Sequence, residues 1–191
     1  GDKDFHSARA SIFSNTKMAD ELLGRVADVV GDLLADQVNY GRADAVQLFD
    51  TWAGLLSPEQ YERFGKKATA RAIGVFREKA KNDVPLIHYA KGSGHLHEQI
   101  RSLDIDAISL DWRDDLYTNR RDYGNDLAIQ GNLDPSYLHG SQLGAIDAAR
   151  SVLEKAGNHP GHIFNLGHGM TPDSKIENVE AVLKTVAGGI K

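Results

Sequence analysis

Five short, β-rich apolar runs alternate with longer helical patterns, and this alternation limits the possible folds more than any other property of the chain. The runs are residues 44–50 (DAVQLFD), 85–90 (PLIHYA), 107–111 (AISLD), 127–131 (LAIQG) and 162–166 (HIFNL). Between residues 17 and 40, Met18, Leu22, Val26, Val29, Val30, Leu33 and Leu34 recur at helical spacing, and Gly41 is placed to stop that helix. Ser57-Pro58-Glu59 predicts a second helix start: a serine cap, proline at the first helical position and an acid in the first turn. Further helices are expected over 96–103, 116–123, 140–156 and 176–186. Buried strands separated by helices imply a parallel sheet with helices packed outside it.

Two architectures satisfy that pattern, an open doubly wound sheet and a closed eight-fold barrel. A dinucleotide-binding open sheet places a glycine fingerprint after its first strand, and the sequence after Phe49 reads DTWAGLL instead. Several runs end in polar or small residues, at Asp50-Thr51, Lys91-Gly92-Ser93, Asp111-Trp112, Gly131-Asn132 and Gly167-His168. Barrels place their chemistry at that end of the strands. Yet five strand–helix units cannot close a ring that needs eight strands and about 250 residues. The chain has 191 residues with no linker-like shift in composition, so it is read as one domain, residues 1–191, with two sheet edges left open.

Composition narrows the functional classes. There is no cysteine, which removes disulfides, thiolate metal sites and a cysteine nucleophile. A formal net charge of −5 argues against nucleic acid, and no segment approaches the ~20 apolar residues of a membrane span. The N-terminal GDKDFHSARA lacks the basic start and apolar stretch of a secretory signal and has no initiator Met, so a cytoplasmic location and a trimmed or partial chain are expected. The basic groups Arg71, Arg77, Lys79 and Lys81, and Arg120 and Arg121, read as solvated helix surface.

Four segments carry a more specific signal: QLFDTWAGLLSPEQY (47–61), SLDWRDDL (109–116), IQGNLDP (129–135) and GHIFNLGHGMTP (161–172). In order and spacing the chain resembles the uroporphyrinogen decarboxylase family along essentially its whole length. The resemblance implies the fourth to eighth units of a single (β/α)8 TIM barrel, here incomplete. It implies that the family's arginine-rich motif, its catalytic aspartate and its active-site tyrosine would precede Gly1. Members of the family are carboxy-lyases of porphyrin and haem biosynthesis. They remove four acetate carboxyl groups from uroporphyrinogen without metal or organic cofactor. The implied mechanism protonates a pyrrole carbon, so that the ring becomes an electron sink and carbon dioxide leaves. An aspartate facing the pyrrole NH groups stabilises the developing cation, and arginines hold the carboxylates. An isolated chain lacking that aspartate is expected to be nearly inactive. Full-length members form homodimers, so the implied partners are a porphyrinogen, a second copy or the missing amino-terminal segment.

Within the resemblance, His168 and Thr51 are the substrate-binding candidates. His168 lies between Gly167 and Gly169, where the backbone can turn sharply at the barrel mouth. The bland alternative is a loop histidine bonded to backbone. Thr51 aligns with a family serine or threonine that bonds substrate, and capping a local turn is its simpler role. Phe49, expected to point inward, is a candidate for the apolar wall against the macrocycle, although a core phenylalanine explains it equally. Asp111-Trp112 and Asn132 to Asp134 read as strand-end turns that shape the rim, and Arg113 is the one arginine placed near a strand end.

Two other functions compete. A non-catalytic half-barrel would satisfy its edges by assembling with another chain. Zinc methyltransferases related to this family bind metal through a His-x-Cys pair, and here the matching stretch is His88-Tyr89-Ala90, with the cysteine position an alanine. His88, His95, His97 and Glu98 could still offer nitrogen and oxygen ligands. His95 and His97, two apart near a helix start, are expected to diverge, and no metal site is assigned.

Overall fold

A computed structural model describes residues 3–123, 126–157 and 160–189. Five strands form one parallel sheet in the order β1-β2-β3-β4-β5: Val46–Asp50, Leu86–Ala90, Ala107–Ser109, Ala128–Gln130 and His162–Ile163. Each strand pairs with its neighbour in sequence, and among the described residues β1 and β5 each pair on one side only. All five expected strands are present, and the last is cut short. Its two ladder residues are followed by a separate bridge from Leu166 to Leu133.

Helices α1 (His6–Ser14) and α2 (Thr16–Asn39) precede the sheet, and α3 (Pro58–Gln60) and α4 (Lys66–Lys79) link β1 to β2. Helices α5 (His97–Ile100), α6 (Leu116–Tyr123) and α7 (Gln142–Ala156) follow β2, β3 and β4, and α8 (Ile176–Gly188) follows β5. The start of α3 is a reciprocal cap. Ser57 Oγ accepts from the Gln60 amide at 3.3 Å, and Gln60 Oε1 accepts from the Ser57 amide at 3.1 Å. The residue in the left-handed region after α2 is Arg42, with φ 57°, rather than the expected Gly41.

The parallel register sorts the strand residues into two faces. Leu86, Ala90, Ile108, Leu110 and Ile129 are buried with Leu34, Ile73, Phe76, Leu116, Ala149 and Val182 of the helices, forming the core between sheet and helices. Gln47, Phe49, Tyr89, Ser109 and Gln130 share the other face, on which Gln130 Nε2 donates to Ser109 Oγ at 3.0 Å and to Gln47 Oε1 at 3.2 Å. On this face Phe49 is 64% exposed, whereas Tyr89, Ser109 and Gln130 are buried.

Helix α2 differs from its sequence reading in one instructive way. The spacing of large apolar residues forecasts the helix, but Met18, Leu22, Val26, Val29 and Leu33 lie exposed. The buried face is built from Ala19, Ala27, Gly31, Leu34, Ala35 and Val38, small enough for α4 to come close. A Cβ on Gly31 would stand 2.6 Å from the Ala72 carbonyl oxygen. Ion pairs flank this contact, Asp20 with Arg63 at 2.8 Å and Asp28 with Arg71 at 2.6 Å, and Lys79 reaches Asp32.

The basic residues are thus not all plain solvated surface. Arg77 donates to the Val84 carbonyl at 2.9 Å and to Asp106 at 2.7 Å, tying α4 to the loops before β2 and β3. Arg120 is only 8% exposed and donates to the Pro160 carbonyl, correcting the expectation of a solvated side chain. Helical periodicity alone could not show this, because the acceptor lies forty residues away.

Candidate functional site at the carboxyl ends of the strands

Parallel pairing brings every strand's carboxyl end to one edge, so the residues that follow each ladder become neighbours. Phe49, Tyr89 and Ser109 are in register, which places Thr51, Lys91 and Asp111 next along the same face. The loop carrying His168 arrives from β5. Its approach depends on Gly167, where a Cβ would lie 2.3 Å from the Trp112 amide nitrogen. Any larger residue would push the β5 loop away from the end of β3.

His168 is held by Tyr89. The phenol lies 2.9 Å from the Gly167 carbonyl and 3.1 Å from His168 Nδ1, and the two rings stack with centroids 6.0 Å apart. A carbonyl only accepts, so the single phenolic proton goes to Gly167 and His168 Nδ1 donates to the phenol oxygen. Nε2 then faces outward with a lone pair when the ring is neutral. Burial, reinforced by the charge of Lys91, pushes the imidazole below its ordinary range, while Asp111 opposes that shift. The bland reading, bonding to backbone alone, does not describe this ring, whose partner is a side chain on another strand.

Asp111 is fully buried and saturated. Its Oδ1 accepts from the Arg113 amide at 3.0 Å and Arg113 Nε at 2.7 Å, and its Oδ2 accepts from the Gly92 amide at 3.0 Å and Arg113 Nη2 at 2.9 Å. Burial raises the carboxyl, but the guanidinium and the two amides outweigh it and hold Asp111 ionised. The carboxylate therefore works as an anchor: it fixes Arg113 and ties the β2 and β3 turns together. Arg113 in turn lies 4.4 Å over the Trp112 ring. Asn132 joins the same knot, donating to the Asp111 and Asp114 carbonyls at 2.9 and 2.7 Å. Asp134 does cap the turn at Pro135–His139, accepting from the Ser136 amide at 2.9 Å.

Of the three residues expected to bind substrate, Phe49 and His168 meet through Tyr89, which Phe49 contacts edge-on at 5.9 Å. Thr51 sits at the end of β1, half-buried, and forms no side-chain hydrogen bond among the described residues. It occupies the same edge of the sheet as His168 but at the opposite flank. Tyr89 stands at this edge without being singled out by the sequence reading, and Lys91 enters that reading only as part of a polar strand end. Period-two alternation carried across the strands (Phe49 and Thr51, Tyr89 and Lys91, Ser109 and Asp111) is the signal that would have found them.

The histidines considered for metal separate widely. His88 faces the helix side of the sheet, its Nδ1 3.2 Å from the Leu48 carbonyl oxygen. His95 Nε2 is 2.8 Å from the Leu56 carbonyl, and His97 Nε2 lies 3.5 Å from Asp114. Among the described residues, no three histidine or carboxylate side chains gather as a metal-binding group. No helix among the described residues is long and apolar enough to cross a membrane.

A run of consecutive parallel strands with outer helices and a polar, aromatic cluster at the carboxyl edge defines the (β/α)-barrel class, here with the ring open. The uroporphyrinogen decarboxylase (URO-D) family model matches residues 1–188, and the chain belongs to that family. The uroporphyrinogen decarboxylase of Alcanivorax borkumensis is 36% identical over 185 residues, covering 96% of this chain and 52% of the relative. That of Coxiella burnetii is 38% identical and covers 96% and 51%. The chain thus spans about half the length of the curated relatives it matches. A methyltransferase from Methanosarcina mazei superposes with a TM-score of 0.71 over 85% of this chain and 47% of its own, at 17% identity, a likeness of fold alone.

Proposed function

We propose that the chain forms the carboxyl-terminal half of a uroporphyrinogen decarboxylase active site, and that its share of the work is to hold carboxylates against the macrocycle. The observation that carries this reading is the Tyr89–His168 pair at the strand ends, with the neighbouring Arg113 fixed by Asp111. Phe49 gives the pyrrole faces an apolar wall. The unengaged Thr51 hydroxyl donates to a substrate carboxylate at the other flank. His168 takes up a proton at Nε2 as a carboxylate arrives, because the incoming charge reverses the burial penalty on the imidazolium. Arg113 holds its guanidinium near the same edge without reorganisation.

The proton donor to the pyrrole carbon and the group facing the pyrrole NH atoms are assigned to the complementary half. That half also covers the free edges of β1 and β5. A homodimer of completed barrels and a cytoplasmic setting belong to the same proposal, the latter in keeping with the lack of cysteine.

A chimera tests the site. Joining this chain behind the amino-terminal half of the Coxiella burnetii relative should give an enzyme that converts uroporphyrinogen to coproporphyrinogen. In that chimera His168→Ala should lower kcat/KM by about tenfold or more. Unchanged kcat/KM in the variant would remove His168 from the site.

A further inference from the structure

At the carboxyl edge two cations stand close together, and they are not equivalent. Arg113 is committed to Asp111 through two charge-assisted hydrogen bonds. Lys91 has no carboxylate within ion-pairing distance among the described residues. Its Nζ sits instead between two indoles, 5.6 Å from the Trp52 ring centroid and 5.8 Å from that of Trp112. Trp52 belongs to the turn after β1 and Trp112 to the turn after β3, the two strands that flank β2, so loops from both neighbours of the strand before Lys91 bring an indole to the ammonium. Indole faces attract a cation but accept none of its three N–H bonds as a carboxylate does, leaving donors unsatisfied by protein. The arrangement is that of an anion receptor: a positive charge held in place by aromatic walls, half-buried, with its hydrogen-bonding capacity uncommitted.

We infer that Lys91 is a carboxylate-binding residue, and that with Trp52 and Trp112 it forms a subsite for one acidic side arm of a polycarboxylate ligand. The assignment rests on reading this edge as a polycarboxylate site, and it adds a residue and a position to that reading. His168 lies 6.0 Å from Trp112 by ring centroids, so the subsite adjoins the histidine and one carboxylate-rich ring could engage both. The competing explanation is packing alone, in which the lysine stem merely covers the two rings.

The chain has two tryptophans, and both flank Lys91, so intrinsic fluorescence reports on this subsite directly. The chain is titrated with uroporphyrin, a tetrapyrrole with eight carboxylates, and separately with mellitate, a benzene ring bearing six. Quenching by both, weakened about tenfold in Lys91→Met and retained in Lys91→Arg, is the expected result. Methionine keeps the stem over the indoles, so a packing role alone would leave both titrations unchanged. Quenching by mellitate alone, lost in Lys91→Met, would uphold the subsite and count against the porphyrinogen reading. Uroporphyrin quenching equal in wild type and Lys91→Met would overturn the role of Lys91 and leave the porphyrinogen reading standing. Absence of quenching by either compound would also overturn the subsite.

Discussion

At the scale of single residues, the two faces of the sheet give histidine two different fates. His168, at the open edge, has Nδ1 engaged by Tyr89 and its Nε2 without a hydrogen-bond partner among the described residues. His88, one strand position from Tyr89, points the other way into the core, is 0% exposed, and has its Nε2 without a partner among the described residues. Burial pushes its imidazole down to about 4 from an ordinary 6.5, with the Leu48 carbonyl opposing the shift. Because the fold accepts only the neutral ring, this contribution to stability is complete above the unfolded value of 6.5. It is lost as pH falls from there to about 4. Urea unfolding midpoints across that range should reveal a loss of about 3 kcal/mol that His88→Phe largely abolishes. A variant with the same pH slope as the wild type would show that the loss arises elsewhere. The same residue shows what sequence alone conveys. His88, His95 and His97 are close in sequence and invite a joint reading, but strand alternation and the turn before α5 send their side chains apart.

At the scale of elements, the sequence conveyed existence better than orientation. All five strands and the α3 cap were readable because they depend on local patterns, the short β-rich apolar runs and the Ser-Pro-Glu start. The direction in which α2 presents its large apolar residues was not, because close packing against α4 selects small side chains and turns the bulky ones outward. This inversion can be tested at Gly31. Alanine is the better helix former by about 1 kcal/mol, yet its methyl group would collide with the Ala72 backbone and Val75. Gly31→Ala should therefore lower stability by about 1–3 kcal/mol in denaturant unfolding. A gain in stability would mean that the α2–α4 contact is looser than described. The site was partly legible for the same reason: His168, Thr51 and Phe49 follow from motifs, whereas Tyr89 and Lys91 acquire meaning only once strands are laid side by side.

At the scale of the whole molecule, the sheet is the limiting feature. Strands β1 and β5 each have an unpaired edge, and the exposed row Met18, Leu22, Val26, Val29 and Leu33 on α2 has no covering element among the described residues. Open parallel edges and an apolar row of that length are what a barrel half presents before its other half arrives. Coverage of about half of each relative agrees with this view. The central claim is that substrate binding resides here and proton donation to the macrocycle resides in the complementary half. Its most direct test is turnover of uroporphyrinogen under anaerobic conditions by this chain alone, by a separately produced amino-terminal half of a relative, and by the two combined. Coproporphyrinogen formed only by the mixture is the predicted result. Sustained decarboxylation by this chain alone would contradict the claim, because the proton donor would then have to lie within these residues.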